Sequence, residues 1–369
     1  MTRPARTLLH VFSTFKLGGP QIRFAQIVNH FGRTYRHLIV AMDGVTEAFT
    51  RLAAPLDARV LDLPVGRGGT WDKLRLFRRT LSEHRPDLLV TSNWGTIEWA
   101  LANLDGRIPH LHMEDGFGPE EAERQLPRRV WARRLLLRRT RVMVPSQTLL
   151  GIARTVWGLP AHALVHIPNG IDCHRFAHPV DSAFAARHGI LPGGGPVIGT
   201  IAALRPEKNL GRLIAAFAQI APRHQPRLVI VGDGPAAAGL AAQAAALGLG
   251  DRVIFTGACP TPERLLPSFT LFALSSDTEQ MPLALLEAMA AGRAVVATDV
   301  GDVRSMLAEV NHPFLSPRNA AALAQAFTDL LDQPGAITTI GAANAERCRT
   351  QFDQNRMFTA YAKLFDARE

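Results

Sequence analysis

LFALSSDTEQMPLALLEAMAAGRAVVATDV, the stretch from Leu271 to Val300, decides the fold. An apolar strand ends in Ser275-Ser276, a turn carries Glu279, and Pro282 opens an Ala/Leu-rich helix bearing Glu287. Gly292 and a second strand follow at once, which makes a β-α-β unit and implies a parallel sheet. Proline is pre-organised at the start of a helix and loses no needed N–H there. The free N–H groups that follow, at Leu283 and Ala284, form an anion site helped by the helix dipole. Glu279 stands just before that helix start, and Glu287 can accept hydrogen bonds from vicinal hydroxyls such as a ribose diol. An ordinary amphipathic helix with solvated glutamates accounts for Glu287 alone, but not for the whole arrangement.

The same rhythm extends in both directions. Expected strands are Leu8–Phe12, His37–Met42, Arg59–Leu63, Asp87–Ser92, His110–Glu114 and Arg141–Pro145, then Val197–Ala202, Arg227–Val231, Arg252–Thr256, Leu271–Ser275, Ala294–Thr298 and Pro313–Leu315. Helical patterns separate most of them, so each half reads as an α/β, Rossmann-like domain with a parallel sheet. His178-Pro179 and Leu191-Pro192-Gly193-Gly194-Gly195-Pro196 are punctuation that neither helix nor strand tolerates, and they mark a break between halves. Phe352, Met357, Tyr361 and Leu364 at helical spacing predict a closing amphipathic helix. The expected domains are residues 1–166 with helix 351–369, and residues 167–350. Ligands of open parallel sheets bind beyond the carboxyl ends of the strands, so two such sheets would share one cleft.

At 369 residues, with 47% apolar and 20% charged, the chain suits a two-domain protein and has no apolar run long enough to span a bilayer. Met1 to His10 passes from Arg3 and Arg6 straight into a short strand, without the features of a signal peptide. Cys173, Cys259 and Cys348 form no C-x-x-C pair, which argues against zinc, a redox motif or a disulfide framework, and a reducing cytoplasm is the expected home. The net charge of +9 is partly local: Arg124, Arg128, Arg129, Arg133, Arg134, Arg138, Arg139 and Arg141 crowd one segment. A solvated face explains them, as does adhesion to an anionic membrane surface with Trp131 and Leu135 at the interface. At about 100° per residue the arginines scatter around a helix rather than filling one side. No recognition fold or aromatic-interleaved basic motif points to nucleic acid.

Glu279 and Glu287 with their intervening residues, followed by Ala-Met-Ala-Ala-Gly and AVVATDVG, resemble the hallmark of retaining glycosyltransferases of family 4, which have the GT-B fold. Further resemblances occur in the same order along most of the chain: Leu17-Gly18-Gly19, Ile167-Pro168-Asn169-Gly170-Ile171-Asp172 with Phe176, GTIAALRPEKNLGRLIAAF from Gly199, LVIVGDGP from Leu228, and VIFTG from Val253. The resemblance implies two Rossmann-like domains facing across a cleft, with the C-terminal helix closing back on the N-terminal domain. It implies transfer of a sugar from a nucleoside diphosphate sugar to a hydroxyl acceptor, in polysaccharide or glycolipid assembly.

On this resemblance the donor-binding residues are Gly19, Arg205, Lys208, Met281, Pro282, Leu283 and Glu287. Lys208 matches the family lysine that neutralises the diphosphate; a surface salt bridge is its inert counterpart. The usual arginine is replaced by Ala203, and Arg205 two positions later shares its face if the segment is a strand. Glu279, Asp115 and His112 are the candidate catalytic residues. Gln280 stands where the family has glycine, and Asp115 where it has histidine; His112, sharing a strand face with His110, takes a shifted role or packs in the core. Asp115–Glu121 reads as acceptor-facing. There is no D-x-D, no metal or other cofactor is expected, and cations with a helix N-terminus can hold a diphosphate. The expected partners are a nucleotide-sugar donor, a lipid-linked or polysaccharide acceptor and an anionic membrane surface, with the protein cytoplasmic or peripheral at the inner face of the cell membrane. Gly232-Asp233-Gly234-Pro235-Ala236-Ala237 fits a dinucleotide fingerprint, but no acidic residue closes the next strand, which disfavours an NAD-dependent oxidoreductase. A GT-B nucleotide-sugar epimerase would share the fold, and so would a degenerate, non-catalytic GT-B protein that binds sugar or nucleotide; Gln280 and Asp115 keep the latter open.

Overall fold

The computed structural model describes residues 5–65, 69–121, 124–190 and 195–367. The opening Met1–Pro4 and the Leu191–Gly194 part of the Pro/Gly run lie outside them. The chain divides into two compact units, Met1–Pro168 with Met357–Glu369, and Asn169–Arg356.

The first unit is built on a seven-stranded sheet in the order β3-β2-β1-β4-β5-β6-β7. Its strands are β1 (Arg6–Phe12), β2 (Tyr35–Ala41), β3 (Ala58–Val60), β4 (Leu88–Ser92), β5 (His110–Met113), β6 (Arg141–Val144) and β7 (Leu164–His166), all paired in parallel. Strand β7 is not among the sequence expectations, because it is only three residues long and pairs with β6 alone. Alternate residues of the central strands enter opposite faces. Leu8 packs with Ile27, Tyr361 and Phe365 on one side, while Leu9 and Val11 pack with Phe77 and Trp99 on the other. The C-terminal helix, Gln354–Asp366, thus closes onto this sheet from Met357 onward, with Tyr361 fully buried. Tyr35 Oη donates to Asp366 Oδ1 at 2.9 Å, and Arg6 Nη1 donates to the Phe365 carbonyl at 2.6 Å.

The second unit has a six-stranded sheet in the order β10-β9-β8-β11-β12-β13, again parallel throughout. The strands are β8 (Val197–Ile201), β9 (Arg227–Val231), β10 (Val253–Gly257), β11 (Leu271–Leu274), β12 (Ala294–Thr298) and β13 (Leu315–Ser316). Leu271 faces a core with Leu213, Ile214 and Phe217 of helix Leu210–His224; its neighbour Phe272 faces Leu285, Leu286 and Met289 of helix Leu283–Ala290. The punctuation at Pro179 falls inside this unit. Beyond it Asp181 caps helix Ser182–Arg187 through the Phe184 N–H, and Ala185 and Ile190 enter the same core as Phe176. Proline and glycine here interrupt elements of one unit, and the boundary between compact units lies at Pro168 and Asn169. The thiols of Cys173 and Cys348 meet at 3.7 Å inside that core, a proximity that their distance in sequence hides.

Candidate active site

Each sheet reverses its strand order once, between β1 and β4 and between β8 and β11. A crevice opens at such a switch point beyond the carboxyl ends of the strands. In the second unit, the loop after β8 carries Lys208 and the loop after β11 carries Glu279. Lys208 Nζ lies 2.6 Å from Glu279 Oε1, and the Ser276 hydroxyl donates to the same oxygen at 2.7 Å. Glu279 is nearly buried and Lys208 a quarter exposed, so the pair sits at the rim of the switch point. Ser276 is itself held by Thr298 at the end of β12, whose hydroxyl donates to its carbonyl at 2.7 Å.

Pro282 is the N-cap of helix Leu283–Ala290, not its first residue. Leu285 and Leu286 bond back to the Pro282 carbonyl, so the N–H groups of Leu283 and Ala284 have no intrahelical acceptor. Buried Asn169, from the Ile167–Asp172 motif, fixes the approach to this helix: its Nδ2 donates to the Met281 carbonyl at 2.8 Å. Gly301 fixes it from the other side. Its φ is +54°, and an added Cβ would stand 1.9 Å from the Glu279 carbonyl oxygen, a closeness only glycine permits. The Asp302 N–H then reaches the Gln280 carbonyl at 3.0 Å.

Glu287 is half-buried, and its carboxylate makes no hydrogen bond or ion pair among the described residues. Burial pushes its carboxyl up to about 7, opposed by the Arg175 charge and reinforced by Glu263. Because the folded value lies above the ordinary carboxylate range, the neutral acid favours folding. Its contribution is full below pH ~4.5 and fades as pH rises through ~7. Glu287→Gln should flatten the fall in stability over that interval, read as the melting temperature at several pH values. An unchanged pH profile would contradict the buried titration.

Arg205 does not follow the strand argument. Strand β8 ends at Ile201, so Ala203 and Arg205 lie in a loop rather than in an alternating register. Arg205 is exposed and makes no ion pair among the described residues. The glycine pair of the dinucleotide-like stretch has a local purpose. A Cβ on Gly232 would stand 1.8 Å from the Ala202 carbonyl oxygen, and one on Gly234 2.6 Å from that of Leu204. Their close approach lets Leu204 N–H bond the Asp233 carbonyl at 2.9 Å, which supports the loop leading to Lys208.

In the first unit, Gly19 begins helix Gly19–Phe31 after β1, and Asp115 follows β5. Arg23 of that helix grips Asp115 through both carboxylate oxygens, at 2.5 and 3.0 Å, with only 2% of its side chain exposed. The Asp115 N–H donates to Asn93 Oδ1 at 2.7 Å. Asn93 stands at φ 60°, ψ 177°, a conformation essentially reserved for glycine and a form of strain concentrated at functional positions. Asp115 is therefore a fixed carboxylate at the carboxyl end of the sheet. His112 is not comparably open. It is fully buried and its Nδ1 shares the Thr91 hydroxyl with His110 Nε2, each at 2.8 Å. Burial lowers His110 to about 3, so that ring is neutral.

The Arg-rich segment proves to be two things at once. Arg133, on helix Pro127–Leu136, is buried; it bonds Glu114 at 3.1 Å and Glu121 at 3.5 Å. Its guanidinium lies over the rings of Trp94, Phe117 and Trp157 at 5.2, 5.4 and 4.9 Å. It thereby ties Glu114, just before the Asp115–Glu121 stretch, and Glu121 at its far end to the helix. Arg128, Trp131, Leu135, Arg138 and Arg139 are exposed instead. Sequence reasoning passes over Arg23 and Asn93, whose partner Asp115 lies far away in the chain. Asn169, Ser276 and Gly301 stand inside motifs, but their purpose emerges only with the groups they touch.

Residues 17–175 match the family described as Glycosyltransferase Family 4, and residues 195–333 match Glycosyl transferases group 1. The 2-deoxystreptamine glucosyltransferase of Streptomyces kanamyceticus is 27% identical, over 85% of this chain and 72% of its own length. The GDP-mannose-dependent alpha-(1-6)-phosphatidylinositol monomannoside mannosyltransferase of Mycolicibacterium smegmatis is 31% identical over 50% of this chain and 51% of its own. The crystal structure of Anabaena HepE in complex with UDP and glucose superposes with a TM-score of 0.84, covering 98% of this chain and 99% of its own at 22% identity, a likeness of fold.

Proposed function

The chain belongs to the family 4, group 1 glycosyltransferases and moves a sugar from a nucleotide-sugar donor, and from this premise we propose a retaining transfer to a hydroxyl acceptor with the donor held at the β8/β11 switch point. The observation that carries the proposal is the Lys208–Glu279 pair at 2.6 Å, with Glu279 a few residues before a helix whose Leu283 and Ala284 N–H groups have no acceptor among the described residues. As the bond from sugar to diphosphate breaks, Lys208, Arg205 and those N–H groups stabilise the growing negative charge, which is commonly the largest single catalytic contribution. Glu279 Oε1 is occupied by Lys208 and Ser276, and Oε2 is left to receive donor-sugar hydroxyls near the developing positive charge. Glu287, unpartnered and half-buried, accepts the ribose hydroxyls. Gly19 and Asp115 serve the sugar and acceptor, Asp115 as a carboxylate fixed by Arg23. His112 remains a packing group in this reading, because its ring is enclosed and bonded.

The donor base we take as uracil, with guanine as its rival. Melting temperatures with UDP, GDP, ADP and NAD⁺ test this directly. A ligand at a hundred times its Kd stabilises by about 2.7 kcal/mol. A rise with UDP supports the reading, a rise with GDP alone replaces the base, and a rise with NAD⁺ alone overturns the transferase site.

For the acceptor we propose a lipid-linked or polysaccharide intermediate met at an anionic membrane surface. Trp131 is 59% exposed and Leu135 69% exposed, and they share a helix face with Arg128. No helix among the described residues is long and apolar enough to cross a membrane. The protein should float with vesicles containing phosphatidylglycerol and not with phosphatidylcholine alone, and the Trp131→Ala/Leu135→Ala protein should remain behind. Equal flotation of the variant would remove this surface from consideration.

A further inference from the structure

The loop that carries Lys208 is fastened to the loop that carries Glu279 at three consecutive carbonyl groups. The Asp277 N–H donates to the Glu207 carbonyl at 2.9 Å, and the buried Ser275 hydroxyl lies 3.1 Å from the carbonyls of both Lys208 and Asn209. The side chains repeat the connection in the opposite direction. Arg212 Nη2 donates to Asp277 Oδ1 at 2.6 Å and Asn209 Nδ2 donates to Oδ2 at 2.9 Å, while Arg212 Nη1 reaches the Ser275 carbonyl at 2.9 Å. Asn209 adopts the left-handed conformation, φ 42°, ψ 50°, and caps helix Leu210–His224 by accepting the Arg212 N–H. That conformation turns the chain immediately after Lys208.

We propose that Arg212 and Asp277 are positioning residues for the reaction: together they set the Lys208 ammonium at the place where the donor diphosphate is held. The inference rests on the reading of Lys208 as the cation for the diphosphate. A lysine has a long, flexible stem with many rotamers, so its backbone must be fixed if its charge is to be pre-organised rather than ordered at the moment of binding. Among the described residues, Arg212, in the first turn of the helix that follows the Lys208 loop, and Asp277 form the charged pair that ties this segment to the Glu279 loop outside the Lys208–Glu279 contact. The Arg212 side chain is only 12% exposed while that of Asp277 is 39% exposed, so water screens the pair from the Asp277 side alone. Neither residue need touch the donor. Their effect should therefore fall on the diphosphate and spare the nucleoside, which Glu287 serves from the following helix.

The test is calorimetric titration of UDP and GDP and of the matching nucleosides, uridine and guanosine, into the wild type and the Lys208→Ala, Asp277→Ala, Arg212→Ala and Arg212→Lys proteins. Asp277→Ala and Arg212→Ala should weaken the bound nucleoside diphosphate about tenfold and leave its nucleoside unchanged, and Arg212→Lys should recover part of the loss. Adding either change to Lys208→Ala should cost nothing further, because the clamp has no ammonium left to place. A diphosphate affinity unchanged in Asp277→Ala and Arg212→Ala, while Lys208→Ala weakens it, overturns the clamp alone. So does an equal loss of diphosphate and nucleoside, which would mark a general collapse of the unit. A diphosphate affinity unchanged in Lys208→Ala overturns the underlying reading of the lysine.

Discussion

Lys208→Ala should lower kcat/KM for sugar transfer by a factor of about 10² to 10³, the range seen when one preorganised donor to a developing anion is removed. Two effects combine. The departing diphosphate loses the ammonium that would balance its charge, and Glu279 loses the cation now 2.6 Å from its Oε1. The uncompensated carboxylate then stands close to the same diphosphate, so repulsion adds to lost attraction. For this reason the double variant Lys208→Ala/Glu279→Gln should be less impaired than the product of the single effects. Residues in direct contact couple by about 0.5–3 kcal/mol. Steady-state kinetics on the four proteins of that cycle measures the coupling. Wild-type rates in Lys208→Ala, or strict additivity in the cycle, would remove the pair from the catalytic site.

Arg133→Ala should be the most damaging single change to the first unit. The side chain is buried against Glu114 and Glu121 and covered by Trp94, Phe117 and Trp157. Its loss strips fully buried Glu114 of its arginine and leaves the buried Glu121 carboxylate to Arg129 and the Leu126 N–H among the described residues. Breaking a buried pair of this kind costs roughly 3–5 kcal/mol. The melting temperature of the first unit should fall by roughly 10 °C, at about 2–4 °C per kcal/mol for a domain of 150–250 residues. Arg139 lies just beyond the same helix and is exposed, so Arg139→Ala should change stability by no more than about 0.5 kcal/mol. Equal melting temperatures for the two variants would show that the buried arginine carries no special weight.

The contrast between those arginines shows what periodicity can and cannot convey. Along the helix they scatter at about 100° per residue, and that pattern does not say which of them turns inward. The choice is made by Glu114 and Glu121, which lie outside the helix and meet Arg133 in the folded unit. Asp115 presents the same problem. The sequence shows an aspartate where a histidine is expected, but not that Arg23 holds it by two contacts or that a strained Asn93 receives its N–H. Arg205 fails the strand argument because β8 stops at Ile201, and a strand's last residue depends on its neighbours' ladders more than on its own side chains.

By itself the sequence determined the two parallel sheets, the helix that opens after Pro282 and the family to which the chain belongs, since these depend on local spacing: short apolar runs, turn residues, and motifs whose members lie within one β-α-β unit. Only the tertiary structure decided that Lys208 meets Glu279, that the Glu287 carboxylate has no partner among the described residues while burial raises its pKa, that Gly301 supports the turn at Gln280, and that Cys173 meets Cys348. Each of these depends on groups brought together from distant positions. Hydrogen bonds, desolvation and close backbone approach act through space over a few ångströms, and no spacing along the chain encodes them before the strands are assembled.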